Sequence, residues 1–206
     1  MKLTVPTMLT LLRIVLIPVL VLVFYLPFEW TNFAAAFVFA FASVTDWLDG
    51  WIARRYNQFS AFGAFLDPVA DKLMVAVALV IVVSVKDGAQ ALWMALFSAV
   101  IIGREIAVSA LREWMAELGQ RAKVKVASIG KIKTIVQMVA LVCLLYSITP
   151  ESGDAARAHV EPWMGEAIFH IGDWLLAAAA LLTLWSGYES LRAAWPSLRA
   201  DPRSGS

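Results

Sequence analysis

Residues 46–72 read DWLDGWIARRYNQFSAFGAFLDPVADK. Four aspartates, Asp46, Asp49, Asp67 and Asp71, stand in or beside runs apolar enough to enter a bilayer. Acids at such positions are costly unless something pairs with them, and ionisable groups in membrane segments mark functional sites by default. The helical period sharpens the point. Asp46, Asp49, Gly50 and Ala53 follow i, i+3, i+4, i+7 spacing and share one helix face. Gly63, Asp67 and Asp71 recur every four residues and share another. Each face alternates carboxylates with residues of little or no side chain, which let helices approach closely or a ligand touch backbone.

The rest of the chain says what these faces are set in. Of 206 residues, 61% are apolar and only 16% charged, which places the chain in the membrane class rather than among soluble domains. The N-terminal run to about Leu26 is too long for the apolar core of a secretory signal and carries Arg13 well inside it. It reads as a retained first membrane helix behind a short amphipathic entry. The single cysteine, Cys143, excludes an intrachain disulfide and reads as a small buried hydrophobe.

A helix needs about 20 apolar residues to cross the bilayer core. Six segments qualify, at about 8–28, 32–53, 63–85, 90–112, 128–148 and 166–190, separated by turn signals such as KDG at 86–88. The expected architecture is an all-α, polytopic bundle of six transmembrane helices. Residues 1–195 form one membrane domain and 196–206 a flexible cytoplasmic tail. With both termini on the cytoplasmic side, the outer loops keep only Lys86 and Arg157, as the positive-inside rule requires. All four aspartates then lie near the cytoplasmic face.

Four carboxylates converging between two helices would repel one another strongly in a low dielectric, so a cation or protons must neutralise them. Hard oxygen ligands in this number suit one or two Mg²⁺ or Mn²⁺ ions, which favour carboxylates together with substrate phosphate oxygens. No His or Cys falls in the cluster, which argues against zinc or a redox metal. Two other readings compete: salt bridges with Arg54, Arg55 or Lys72, and an ion or proton path. A transporter would usually show repeats or matching broken helices, and the chain shows neither. Pro68 interrupts only the opening turns of the third segment, where proline is tolerated.

The spacing D-x2-D-G-x2-A-R-x8-G-x3-D-x3-D, carried by Asp46, Asp49, Gly50, Ala53, Arg54, Gly63, Asp67 and Asp71, resembles the signature of the CDP-alcohol phosphotransferase family. The likeness extends through VPTMLTLLRIVLIP, REIAVSALREWMAELG and IGKIKT to the bacterial members that make phosphatidylglycerol phosphate. One departure is Thr7, where many members carry Asn. The resemblance implies transfer of the phosphatidyl group from CDP-diacylglycerol to sn-glycerol 3-phosphate, releasing CMP, in the bacterial inner membrane. It implies Asp46, Asp49, Asp67 and Asp71 as ligands to a pair of Mg²⁺ or Mn²⁺ ions and Asp71 as general base. It further implies Asp49, Gly50, Ala53, Arg54 and Gly63 around the nucleotide. The partners expected are the two substrates, the bilayer and a second copy in a homodimer, with no nucleic acid.

A phosphate dianion needs its own cations. Arg104 and Arg112, eight residues apart, project broadly to one side of the fourth helix, and Lys131 and Lys133 enter the fifth from the same end. These four are the candidate acceptor-phosphate set. Competing readings are a pair between Arg104 and Glu105, and lysines that merely touch anionic lipid. Other acceptors within the family, namely serine, inositol phosphate or phosphatidylglycerol, share the signature. His159 and His170 fall on the side away from the aspartates.

Overall fold

The computed structural model is all-α and describes residues 5–28, 30–56, 61–86, 88–117, 128–148 and 162–199; among the side chains outside that description are Ala53, Arg54 and Lys131. Six helices follow in order: α1 Val5–Phe24, α2 Thr31–Tyr56, α3 Ala61–Ser84, α4 Gly88–Glu117, α5 Ser128–Ser147 and α6 Pro162–Arg199. Each corresponds to one of the six apolar segments. Four of them, α1, α2, α4 and α6, are long and apolar enough to cross a membrane by length and composition. α5 contributes a shorter apolar run, Ile132–Ser147, and α3 carries Asp67, Asp71 and Lys72 in its first half.

The helices do not stop where their apolar stretches stop. α4 continues past Arg112 to Glu117, and α6 runs on to Arg199. α1 is one continuous helix from Val5, so the amphipathic entry reduces to its first turn and to residues 1–4, which lie outside the described residues. Pro68 is two turns inside α3 rather than at its start. A ring at that position leaves the carbonyl four residues back without its helical donor, a local loosening beside Asp67 and Asp71.

Contacts close the helices into a ring in the order α1, α2, α5, α6, α4, α3, with α3 also reaching α5 and α2 across the middle. Several bonds tie the ends at one pole. Tyr25 Oη lies 2.7 Å from Ser84 Oγ, joining the ends of α1 and α3. Asn32 Nδ2 donates to the Tyr146 carbonyl at 2.7 Å, joining the start of α2 to the end of α5. The Lys86 ammonium sits 3.9 Å from the Phe169 ring centre, joining α3 to the start of α6. Successive helices therefore alternate up and down, and Asp46, Asp49 and Asp67 lie toward the opposite pole. Gly88, with φ of 59°, turns the chain into α4 in a conformation that glycine adopts without strain.

The interior is filled by Leu20, Phe24, Phe39, Leu79, Ile101 and Leu144, all fully buried, with smaller residues between them. α5 and α6 approach so closely at Gly172 that a methyl there would stand 2.8 Å from Leu144 Cγ. The outside is apolar too. Phe33, Phe37 and Phe41 form an exposed stack along α2, with ring centres 6.5 and 6.3 Å apart. A soluble monomer rarely exposes so continuous an apolar surface, whereas lipid solvates one without cost.

Candidate active site

The aspartates meet a cation from the first helix. Arg13, 1% exposed on the buried side of α1, points its guanidinium between α2 and α3. Nη1 lies 2.7 Å from Asp46 Oδ1 and 3.4 Å from Asp67 Oδ1, while Nη2 pairs with Asp49 Oδ2. Asp49 is buried with it; Asp46 and Asp67 remain partly open. Thr7 and Thr10, six and three residues before Arg13, are also buried on α1. Arg13 thus supplies the contact of α1 with the acid cluster.

Ligand oxygens of Asp46, Asp49 and Asp67 all lie within 4.8 Å of one another. An all-carboxylate set this tight fits a hard divalent cation and offers nothing to a soft one. Three ionised carboxylates and one guanidinium sum to a charge of −2, which a single divalent ion balances. Gly50 and Gly63 are half-buried on the same helices. Ala53 and Arg54 continue the α2 backbone, but their side chains lie outside those described.

Asp71 stands one turn beyond Asp67 and is not one of the three converging acids. It lies within electrostatic reach of Asp46, Asp67 and Arg13 on one side and of Glu105 on the other. Its side chain lines a cavity of about 290 Å³ between α3, α4 and α5, together with Lys72, Glu105, Thr134 and Gln137.

Beyond that cavity the cations gather. Glu105 pairs with Lys133 Nζ and, more loosely, with Arg104 Nη1 at 3.5 Å. Arg104 Nη2 donates to Ser186 Oγ on α6. Gly187 leaves room for this arginine: a methyl there would stand 3.2 Å from Arg104 Cγ. Arg112, one turn past Val108 on α4, is close enough to Arg104 and Lys133 to repel both. The Nε atoms of Arg104 and Arg112 are buried without a hydrogen-bond partner among the described residues. Three cations facing one acid leave a net charge of +2, matched to a small dianion such as phosphate. Lys131 lies in the first turn of α5 with its side chain outside the description, and His170 is at the far pole.

Sequence reasoning groups four aspartates, of which Asp46, Asp49 and Asp67 converge here and Asp71 lies one turn further on. Separately it groups Arg104, Arg112, Lys131 and Lys133, of which Lys131 has its side chain outside the description. It misses Arg13 as a member of the acid cluster and Ser186 and Gly187 as the seat of Arg104. A lone arginine deep in an apolar helix is itself a signal that an acid waits across the bundle. A serine and a glycine in α6 carry no such signal, because small residues are common wherever helices pack.

A model of the family described as CDP-alcohol phosphatidyltransferase matches residues 3–185. Over 201 residues, 98% of each chain, the sequence is 50% identical to the CDP-diacylglycerol–glycerol-3-phosphate 3-phosphatidyltransferase of Shigella flexneri serotype 5b. It is 51% identical, with the same coverage, to the protein of that name from Escherichia coli strain K12.

Proposed function

The chain belongs to the CDP-alcohol phosphatidyltransferase family, and from that premise we propose that it transfers the phosphatidyl group of CDP-diacylglycerol to sn-glycerol 3-phosphate. The products are phosphatidylglycerol phosphate and CMP. The observation that carries the reading is identity of about half the residues over nearly the whole of both chains to enzymes of that name. The net charge of +2 around Arg104, Arg112, Lys133 and Glu105 supports a phosphorylated acceptor over serine.

In this reading Asp46, Asp49 and Asp67 would hold Mg²⁺ or Mn²⁺, with Asp71 contributing to a second ion, and the metal supplies charge neutralisation on the pyrophosphate. Gly50, Ala53 and Gly63 let the nucleotide lie against the backbone of α2 and α3, and Arg54 offers a fork of donors to its phosphate. Arg104, Arg112, Lys131 and Lys133 grip the acceptor phosphate and so aim its primary hydroxyl at Asp71. Asp71 takes the hydroxyl proton as the oxygen attacks the phosphatidyl phosphorus. The new P–O bond forms as the anhydride bond to CMP breaks, and the proton leaves from Asp71 to solvent.

The same proposal places six crossings in the bacterial inner membrane, with the termini and the site on the cytoplasmic side. Residues 1–195 act as one domain ahead of a tail at 196–206, and two copies pair as a homodimer.

Purified protein in detergent, given CDP-diacylglycerol and Mg²⁺, releases CMP with sn-glycerol 3-phosphate and stops when EDTA is added. Release with serine, inositol phosphate or phosphatidylglycerol alone would replace the acceptor. No release with any acceptor would return the acid cluster to the ion-path reading. Ser186→Ala, which removes the acceptor of the Arg104 bond, raises KM for glycerol 3-phosphate about tenfold, the scale of a hydrogen bond to a charged group. KM for CDP-diacylglycerol changes less than twofold. Equal changes in both constants would mean that Ser186 serves packing rather than the aim of Arg104.

A further inference from the structure

We propose that Gln137 reads the middle hydroxyl of the acceptor and so sets the enzyme's choice of a glycerol backbone. The inference rests on glycerol 3-phosphate being the acceptor. Gln137 is 3% exposed, in an α5 stretch otherwise apolar from Ile135 to Leu145. A glutamine buried in a membrane helix ordinarily bonds across to a neighbouring helix. Here its carboxamide oxygen is buried with no hydrogen-bond partner among the described residues. The side chain lines the same cavity as Asp71, Glu105 and Thr134.

Register places Gln137 relative to the base and the phosphate grip. Gln137 follows Lys133 by one helical turn, so the two share a face of α5 about 6 Å apart along the axis. Asp71 is the eleventh residue of α3 and Gln137 the tenth of α5, and both helices start from the same pole. The amide therefore lies at the depth of the base, one turn inward from the phosphate grip. A three-carbon chain with its phosphate at Lys133 and its primary hydroxyl at Asp71 passes its middle carbon beside Gln137. The hydroxyl on that carbon donates to the carboxamide oxygen.

A site built to bond a substrate hydroxyl rejects the analogue lacking it far more strongly than an apolar pocket rejects a missing methylene. The test compares kcat/KM for sn-glycerol 3-phosphate with that for 3-hydroxypropyl phosphate, which keeps the phosphate and the primary hydroxyl and lacks only the middle one. The wild-type ratio is expected to be at least about 100. Gln137→Met, close in volume and unable to accept the bond, lowers that ratio at least tenfold through loss on glycerol 3-phosphate. Gln137→Asn keeps the amide but withdraws it by one methylene; it lowers the ratio likewise and serves if the methionine variant fails to fold. A wild-type ratio near one, or a ratio unchanged in a folded variant, overturns the proposal. Wild-type protein inactive with glycerol 3-phosphate but active with another acceptor would instead remove the reading on which it rests.

Discussion

Asp71→Asn reduces CMP release by about 10²–10⁴-fold at saturating substrates, the range that a positioned general base contributes. The substitution keeps size and removes the proton acceptor. Asp71 stands outside the three acids that lie within 4.8 Å of one another, so the variant still binds Mn²⁺ through Asp46, Asp49 and Asp67. Paramagnetic titration in detergent checks this directly: Asp71→Asn loses at most the second ion, whereas Asp67→Asn weakens the first. In the proposed mechanism the same position couples proton transfer to acceptor choice. Asp71 faces the acid cluster on one side and the cavity with Glu105 and Gln137 on the other. An Asp71→Asn protein that keeps more than a tenth of wild-type turnover would move the base elsewhere, with Glu105 as the next carboxylate in the cavity.

The parts of this site legible in the sequence are those carried by one helix at a time. Asp46 and Asp49 share a face because three residues bring an α-helix almost back to the same side, and so do Gly63 and Asp67 at four. What a helical period does not contain is the partner across the bundle. Glu105 sits next to Arg104 in sequence, yet the closer cation is Lys133, twenty-eight residues on. Asp71 follows the same four-residue repeat as Gly63 and Asp67, yet it is not among the three acids within 4.8 Å of one another and also lines the neighbouring cavity. Helix ends are misjudged for a related reason: counting the apolar residues needed to cross a bilayer finds the crossing, while α4 and α6 go on as polar helices beyond it. The bonds of Ser186 and the close approach of Gly187 to Arg104 leave no trace in composition at all.

Arg13→Met lowers stability in EDTA by about 3–5 kcal/mol, the cost of removing one partner from a buried ion cluster. Arg13 is 1% exposed and touches all three converging carboxylates, so its loss leaves a charge of −3 where the wild-type protein has −2. Asp46 and Asp67 retain some contact with solvent, which places the expected value near the lower end. For a chain of this length that corresponds to a fall of roughly 10 °C in Tm. The same electrostatics gives the metal response the opposite sign. A cluster with one more unbalanced negative charge attracts a divalent cation more strongly, so Arg13→Met binds Mn²⁺ more tightly than wild type. Because a ligand that binds only the folded protein stabilises it by an amount that grows with the logarithm of its affinity, the rise in Tm on adding Mn²⁺ is larger in the variant. Arg13→Lys keeps the charge but replaces a planar fork with a point donor, and falls between the two. Equal Mn²⁺-induced shifts in wild type and Arg13→Met would show that the arginine anchors α1 without tuning the acids. A larger shift would make it the resident counter-ion that holds Asp46, Asp49 and Asp67 together and sets how tightly the cluster takes its metal.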